Sequence, residues 1–177
     1  MKKFVVMTAI ITVMSVSAIF AQVPGVELGV GVRLGTITKQ NSGSDSKKGP
    51  IILGAQASLG ISKFALVPNY EYSKTSDAKI HTINIDGQYE VAGFAVAKMF
   101  VGAGYIIQAV KPSGVPGADK PTNSGFNLQV GGSAGFGPLG VFGLAKMNRI
   151  NVENVLTGDK KAKINYALVI GGNFNLL

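Results

Sequence analysis

The sequence predicts an all-β fold, an eight-stranded antiparallel up-and-down transmembrane β-barrel after an N-terminal signal peptide. Three observations predict it. Eight stretches alternate apolar residues with polar or small ones. The connections between them run long, short, long, short, as in a barrel that is looped at one end and tightly turned at the other. A basic, then apolar, then small-residue leader opens the chain. Because a strand shows its two faces at period two, such alternation gives a sheet with one greasy face and one polar face.

In the leader, Lys2 and Lys3 form a positive n-region, residues 4–16 an apolar h-region, and Ser15, Ser17 and Ala18 a small-residue stretch. Cleavage is expected after Ala21, with Ala18 as the alternative. This divides the chain into a signal peptide, 1–21, and a barrel domain, 22–177. The apolar run is short for an uncleaved anchor helix.

The 177 residues suffice for one domain. The absence of cysteine excludes disulfides, thiolate metal sites and a cysteine nucleophile. The formal charge of +8 falls to +6 when Lys2 and Lys3 leave. Only 15% of residues are charged against 46% hydrophobic, with 24 glycines and no tryptophan, which suits a lipid-facing sheet better than a soluble domain.

Strand one is expected over 26–38, with Val26, Leu28, Val30, Val32 and Leu34 on one face and Glu27, Gly29, Gly31, Arg33 and Gly35 on the other. Residues 39–49 form a polar loop. Strand two, 50–60, sets Ile51, Leu53, Ala55, Ala57 and Leu59 against Gln56 and Ser58, and a short connection follows at 61–63. Strand three, 64–74, sets Phe64, Leu66, Pro68, Tyr70 and Tyr72 against Asn69, Glu71 and Ser73. Pro68 has no N–H to give a ladder, so a bulge is expected there.

After a modest loop at 75–79, strand four, 80–91, sets Thr82, Asn84, Asp86, Gln88 and Glu90 against Ile83, Ile85, Gly87, Tyr89 and Val91. A turn near Ala92 and Gly93 leads to strand five, 94–110. Residues 91–110 are long enough for a membrane helix. Lys98 at its centre costs such a helix about 2.5–3.5 kcal/mol on insertion scales. Gly93, Gly102 and Gly104 each cost up to about 1 kcal/mol more, so a strand is preferred. A long loop spans 111–124. Strand six, 125–136, sets Phe126, Leu128, Val130 and Ala134 against Asn127, Gln129 and Ser133, and Gly137-Pro138 turns the chain. Strand seven, 139–152, has the weakest alternation, and a final loop covers 153–161. From 165 onward Tyr166, Leu168, Ile170, Gly172, Phe174 and Leu176 oppose Asn165, Ala167, Val169, Gly171, Asn173 and Asn175.

With the apolar parity on lipid, the interior collects Glu27, Arg33, Glu71, Asp86, Glu90, Lys98 and Lys146. An eight-stranded barrel is just wide enough for side chains to fill it. Unpaired buried charges are costly, so these seven are expected to pair into a plug, with a narrow charge-tuned conduit as the alternative. Inward glycines (Gly29, Gly31, Gly35, Gly102, Gly104, Gly131 and Gly135) leave room for the long side chains. Tyr70, Tyr72, Tyr89, Tyr105, Phe126, Phe136, Tyr166 and Phe174 tend towards strand ends, as interfacial girdles or as ordinary lipid-facing bulk.

The chain resembles the small outer-membrane β-barrel proteins of the OmpA/OmpX/OmpW-like superfamily. The resemblance rests on the leader, on FALVPNYEYS (64–73), on MFVGAGYIIQ (99–108) and on the terminal YALVIGGNFNL (166–176). It implies an outer-membrane location in a Gram-negative cell envelope and insertion by the barrel-assembly machinery. That machinery reads a terminal signal, for which Gly171, Phe174 and Leu176 have the right spacing. Val169 stands where a polar residue is usual, and Leu177 replaces the usual terminal aromatic.

The expected function is a non-enzymatic integral outer-membrane barrel with a structural or surface-interaction role. The alternative is a narrow porin-like conduit for ions or small amphipathic molecules. The looped end is basic. Lys47, Lys48, Lys160 and Lys161 are the densest part of a rim that also carries Lys39, Lys74, Lys79, Lys111, Lys120 and Lys163, diluted by Asp45, Asp77, Asp119, Glu153 and Asp159. Such a rim suits lipopolysaccharide phosphates or plain solvation. Expected partners are therefore outer-membrane lipid, lipopolysaccharide and the assembly machinery, with no nucleic acid, and the barrel is expected to be a monomer. His81, the sole histidine, falls on the lipid-facing parity beside Ile83 rather than a serine, so no catalytic role is assigned to it. No zinc spacing is present and Gly102-Ala103-Gly104 is no dinucleotide fingerprint, so no cofactor is expected. A soluble lipocalin-like barrel would need the opposite arrangement, with the bulky aliphatics turned inward.

Overall fold

The computed structural model describes residues 26–40, 49–76, 78–113, 121–153 and 160–176. The expected signal peptide and the rim residues Lys47 and Lys48 lie outside the described residues. Eight strands follow in order: β1 (Val26–Gln40), β2 (Ile51–Ile61), β3 (Phe64–Lys74), β4 (Ala78–Phe94), β5 (Ala97–Pro112), β6 (Thr122–Phe136), β7 (Leu139–Glu153) and β8 (Lys160–Asn175). Each pairs antiparallel with its sequence neighbour, and β1 pairs with β8 to close the ring. Closure leaves no strand edge, so the backbone polar groups are satisfied within the wall, as a bilayer requires.

The alternation sets the two faces. On β1, Val30, Val32 and Leu34 are exposed on the outer wall, while Arg33 between them is buried inside. Large apolar residues are exposed in the same way on every strand, among them Leu53, Leu66, Ile85, Val101, Leu128, Val141 and Ile170. A continuous apolar skin round the barrel is far larger than a soluble monomer exposes, and it is the surface that lipid covers. It is the reverse of a lipocalin-like arrangement.

Two-residue turns at Ser62-Lys63, Ala95-Val96 and Gly137-Pro138 lie at one end, and the longer connections at the other. Ser62 (φ 57°) and Gly137 (φ 62°) take left-handed backbone conformations, which tight hairpins often require.

The structure corrects three expectations. The fourth strand does not turn near Ala92-Gly93. It passes through a bulge between Glu90 and Ala92 and runs to Phe94, so β5 begins at Ala97. Gly93 lies just past the bulge as a strand residue opposite Lys98, and a Cβ there would meet the Glu90 carboxylate. Pro68 causes no bulge, since β3 holds one register with β4 from Phe64↔Tyr89 to Lys74↔Lys79. Instead the pairing with β2 lapses between Gln56↔Asn69 and Leu59↔Leu66, the stretch opposite the proline. Finally, the strands reach further into the expected loops: Lys39, Lys79, Lys111, residues 122–124, Glu153, Lys160 and Lys161 are strand residues rather than loop residues, with Lys160 and Lys161 paired with Glu153 and Val152. The 91–110 segment is the end of β4, the Ala95-Val96 turn and most of β5, and no helix occurs among the described residues.

Candidate functional site

The strands aim a polar cluster at the middle of the lumen. Arg33 (β1), Glu71 (β3), Asp86 (β4) and Lys146 (β7) meet there with side chains 0%, 10%, 0% and 1% exposed. Glu71 Oε1 is shared: Arg33 Nη1 lies 3.1 Å away and Lys146 Nζ 3.3 Å away. Lys146 Nζ also stands 3.6 Å from Asp86 Oδ2. Two asparagines bond the aspartate and a third bonds one of them. Asn69 Nδ2 donates to Asp86 Oδ2 at 2.9 Å, Asn127 Nδ2 to Oδ1 at 2.8 Å, and Asn84 Nδ2 to Asn69 Oδ1 at 2.7 Å. Two acids and two bases make the cluster formally neutral, the condition under which mutual attraction offsets desolvation. The Arg33 contact is an ion pair by distance, but its angles are too poor for a hydrogen bond, and no guanidinium nitrogen has a hydrogen-bond partner within the protein. Arg33 is therefore held by charge and by the Phe142 ring, 5.9 Å from Cζ to centroid. Gly104 makes the cradle possible, because a Cβ there would collide with Asp86 Oδ1.

The remaining three predicted lumen residues do not join this cluster. Lys98 reaches Glu27 Oε1 at 3.0 Å and Glu90 Oε2 at 3.6 Å at the short-turn mouth. There the Lys98 and Glu27 side chains are 44% and 63% exposed, so water screens the pair. The expected single network is two, a buried neutral one and an exposed one with a surplus acid.

A cavity of about 500 Å³ opens at the short-turn end, lined by Glu27, Gln56, Ser58, Lys98, Phe100 and Phe142 among others. It ends on an apolar cluster of Phe100, Phe142, Leu144 and Val169, which sequence reasoning missed. Both faces of strands five and seven carry apolar residues, so period two alone did not reveal which of them point inward. Gly171 fits against this cluster: a Cβ there would strike the Phe142 ring and the Val32 carbonyl. On the loop side of the charge cluster lies a small pocket of about 30 Å³, between Ile52, Glu71, Asn84, Ile106 and Ile150. That holds no more than a water or two.

No family model matches this chain, and no curated protein matches it significantly. Solved structures do. Neisserial surface protein A superposes with a TM-score of 0.65 at 16% identity, covering 85% of this chain and 96% of that one. The fold is that of a small outer-membrane β-barrel. Ail of Yersinia pestis, in complex with the heparin analogue sucrose octasulfate, gives 0.54 at 8% identity over 85% and 97% of the two chains. AlkL, solved by solid-state NMR in DMPC lipid bilayers, gives 0.53 at 10% identity over 84% and 89%. At these identities the likeness lies in the fold.

On the outer wall of this outer-membrane-type barrel, aromatic residues gather towards both ends. Phe64 and Tyr89 pack with ring centroids 4.9 Å apart and planes tilted by 51° near the short turns. Towards the loops, the Tyr70 hydroxyl and His81 Nδ1 share a 2.6 Å hydrogen bond, and the Tyr72 ring lies 5.3 Å from the imidazole. His81 thus sits among tyrosines on the outside of the wall, with no serine or acid bonded to it. Among the described residues no group of three metal-ligating side chains comes together. Of the terminal residues singled out in the sequence, Gly171 faces inward, Phe174 is exposed outside, and the Leu176 N–H donates to the Leu28 carbonyl at 2.7 Å. Lys161 is exposed at the loop end.

Proposed function

We propose that this chain is an integral outer-membrane barrel without enzymatic activity, serving a structural or surface-interaction role. The observation that carries this reading is the wall-to-wall cluster of Arg33, Glu71, Asp86 and Lys146, which fills the lumen between the larger cavity and the small pocket. The fold and its apolar skin support the membrane location. In the proposed orientation the short turns face the periplasm and the longer connections face outward. Residues 1–21 direct export and are removed, and Gly171, Phe174 and Leu176 present the chain to the assembly machinery. The outward rim, with Lys47, Lys48, Lys160 and Lys161, meets surface polyanions such as lipopolysaccharide. The sulfated ligand of Ail is a precedent for that chemistry on this fold. A closed ring needs no second copy, which favours a monomer.

The test is insertion of the refolded mature barrel into planar bilayers, with folding checked by its shift on SDS gels after boiling. The expected result is insertion with no discrete current steps. The 500 Å³ cavity is half of a channel and favours the second reading, a narrow conduit for ions or small amphipathic molecules. Steady single-channel currents from the unmutated protein would establish that reading in place of the first.

A further inference from the structure

The register of three strands places three lysines side by side on the outer wall. Lys74 on β3 is directly opposite Lys79 on β4, and Lys79 is directly opposite Lys111 on β5. All three belong to the outward parity, Lys74 with Tyr70 and Leu66, Lys79 with Ile83 and Ile85, and Lys111 with Tyr105 and Ile107, and all three are exposed. Residues directly opposed in an antiparallel pair have Cβ atoms about 4.5–5.5 Å apart, and like charges there repel. Among the described residues none of the three has a carboxylate partner, since every ion pair of the wall and lumen uses other bases. Among the described residues, therefore, three positive charges stand in one row with no carboxylate paired to them.

We infer that Lys74, Lys79 and Lys111 form a binding site for the phosphate of a lipid headgroup in the outer leaflet. The inference rests on the membrane-barrel reading above. Two features favour lipid over a solution anion. The row lies on the lipid-facing wall, in line with exposed aliphatics, rather than inside the mouth. Immediately below it sits the Tyr72, His81 and Tyr70 cluster, with Tyr72 directly opposite His81. Amphipathic rings of this kind settle at the headgroup boundary. The lysines stand two residues further along their strands, about 6–7 Å beyond the rings, at the level of headgroup phosphates. Three flexible ammonium groups converge on a multiply charged oxyanion as point charges, without needing a rigid fork.

The experiment follows the temperature at which the folded mature barrel, in dodecyl maltoside micelles, loses its compact gel mobility. Lipid A, a diphosphorylated lipid, is added to the micelles. The unmutated protein is expected to shift upward. K74Q/K79Q/K111Q is expected to fold and to lose most of that shift, and K74R/K79R/K111R to keep it. Lipid A stripped of its phosphates is expected to give no shift. An equal shift in the unmutated and glutamine proteins overturns the site, and an equal shift from inorganic phosphate at matched concentration overturns the lipid assignment. A protein that folds in micelles and ignores lipid A overturns this inference alone. A chain that is soluble without detergent and does not fold in micelles overturns the membrane reading with it.

Discussion

Lys146 on β7 and Glu71 on β3 touch across the full width of the barrel, 3.3 Å between Nζ and Oε1. Their strands are diametrically opposed in the ring of eight, so one ion pair ties two walls that share no backbone hydrogen bond. Arg33 uses the same carboxylate oxygen. Glu71→Gln therefore leaves two buried cations with Asp86 alone. The expected loss is about 3–5 kcal/mol, as for other broken buried pairs, read from urea unfolding of the barrel in detergent. A loss below about 1 kcal/mol would mean that the contact does not hold the walls together.

The mouth pair should behave differently. Lys98 and Glu27 also span opposite strands, but in water. Lys98→Ala is expected to cost less than about 1 kcal/mol in the same assay. A cost matching that of Glu71→Gln would show the mouth to be drier than its exposure indicates.

Gly171→Ala places a methyl against the Phe142 ring and the Val32 carbonyl. Overpacking of this kind costs about 1–3 kcal/mol. The measurement is unfolding after refolding without any assembly factor, so the effect belongs to packing rather than to recognition of a terminal signal. Unchanged stability would point back to a role in assembly.

Replacing Arg33, Glu71, Asp86 and Lys146 together by serine removes the side chains that separate the larger cavity from the loop side. Discrete current steps are expected in planar bilayers where the unmutated protein has none. Continued silence from the folded variant would place the barrier in the apolar cluster of Phe100, Phe142 and Leu144 instead.

The lipid face predicts a depth profile. Val130, exposed in the middle of β6, and Phe136, exposed at its short-turn end, are compared as arginine variants. Val130→Arg is expected to cost about 2–4 kcal/mol and Phe136→Arg at most about 1 kcal/mol when folding is measured into lipid vesicles. Equal small costs would contradict burial of this wall in hydrocarbon.

The alternation of Val30, Val32 and Leu34 against Arg33 was enough to assign faces, because a strand allows only two. It also placed Asp86 and Asn84 on one face of strand four, and so most of the cradle was legible. Which charges meet was not. Glu27 and Arg33 share the inner face of β1 but lie six residues apart, about 20 Å of strand. They meet different partners, chosen by the stagger of strands that sequence does not display. Phe100 and Phe142 were obscured because their strands carry apolar residues on both faces. The turn at Ala95-Val96 contains no turn-forming residue, while Gly93, which looks like one, is a ladder residue opposite Lys98. The lysine row likewise emerges only once Lys74, Lys79 and Lys111 are aligned by register.

The pairing of β1 with β8 has a kinetic consequence. Seven of the eight ladders join strands consecutive in the chain and can form as hairpins. The eighth, from Gly29↔Asn175 to Gln40↔Asn165, brings together the two ends and must wait for everything between. Until then the immature sheet has two naked borders able to capture other chains. Once the seam is sealed, with Leu176 hydrogen-bonded to Leu28 as its last stitch, no strand can depart without tearing two ladders at once. Escape from the finished state should therefore be concerted and slow, and the protein's longevity a matter of rate as much as of equilibrium.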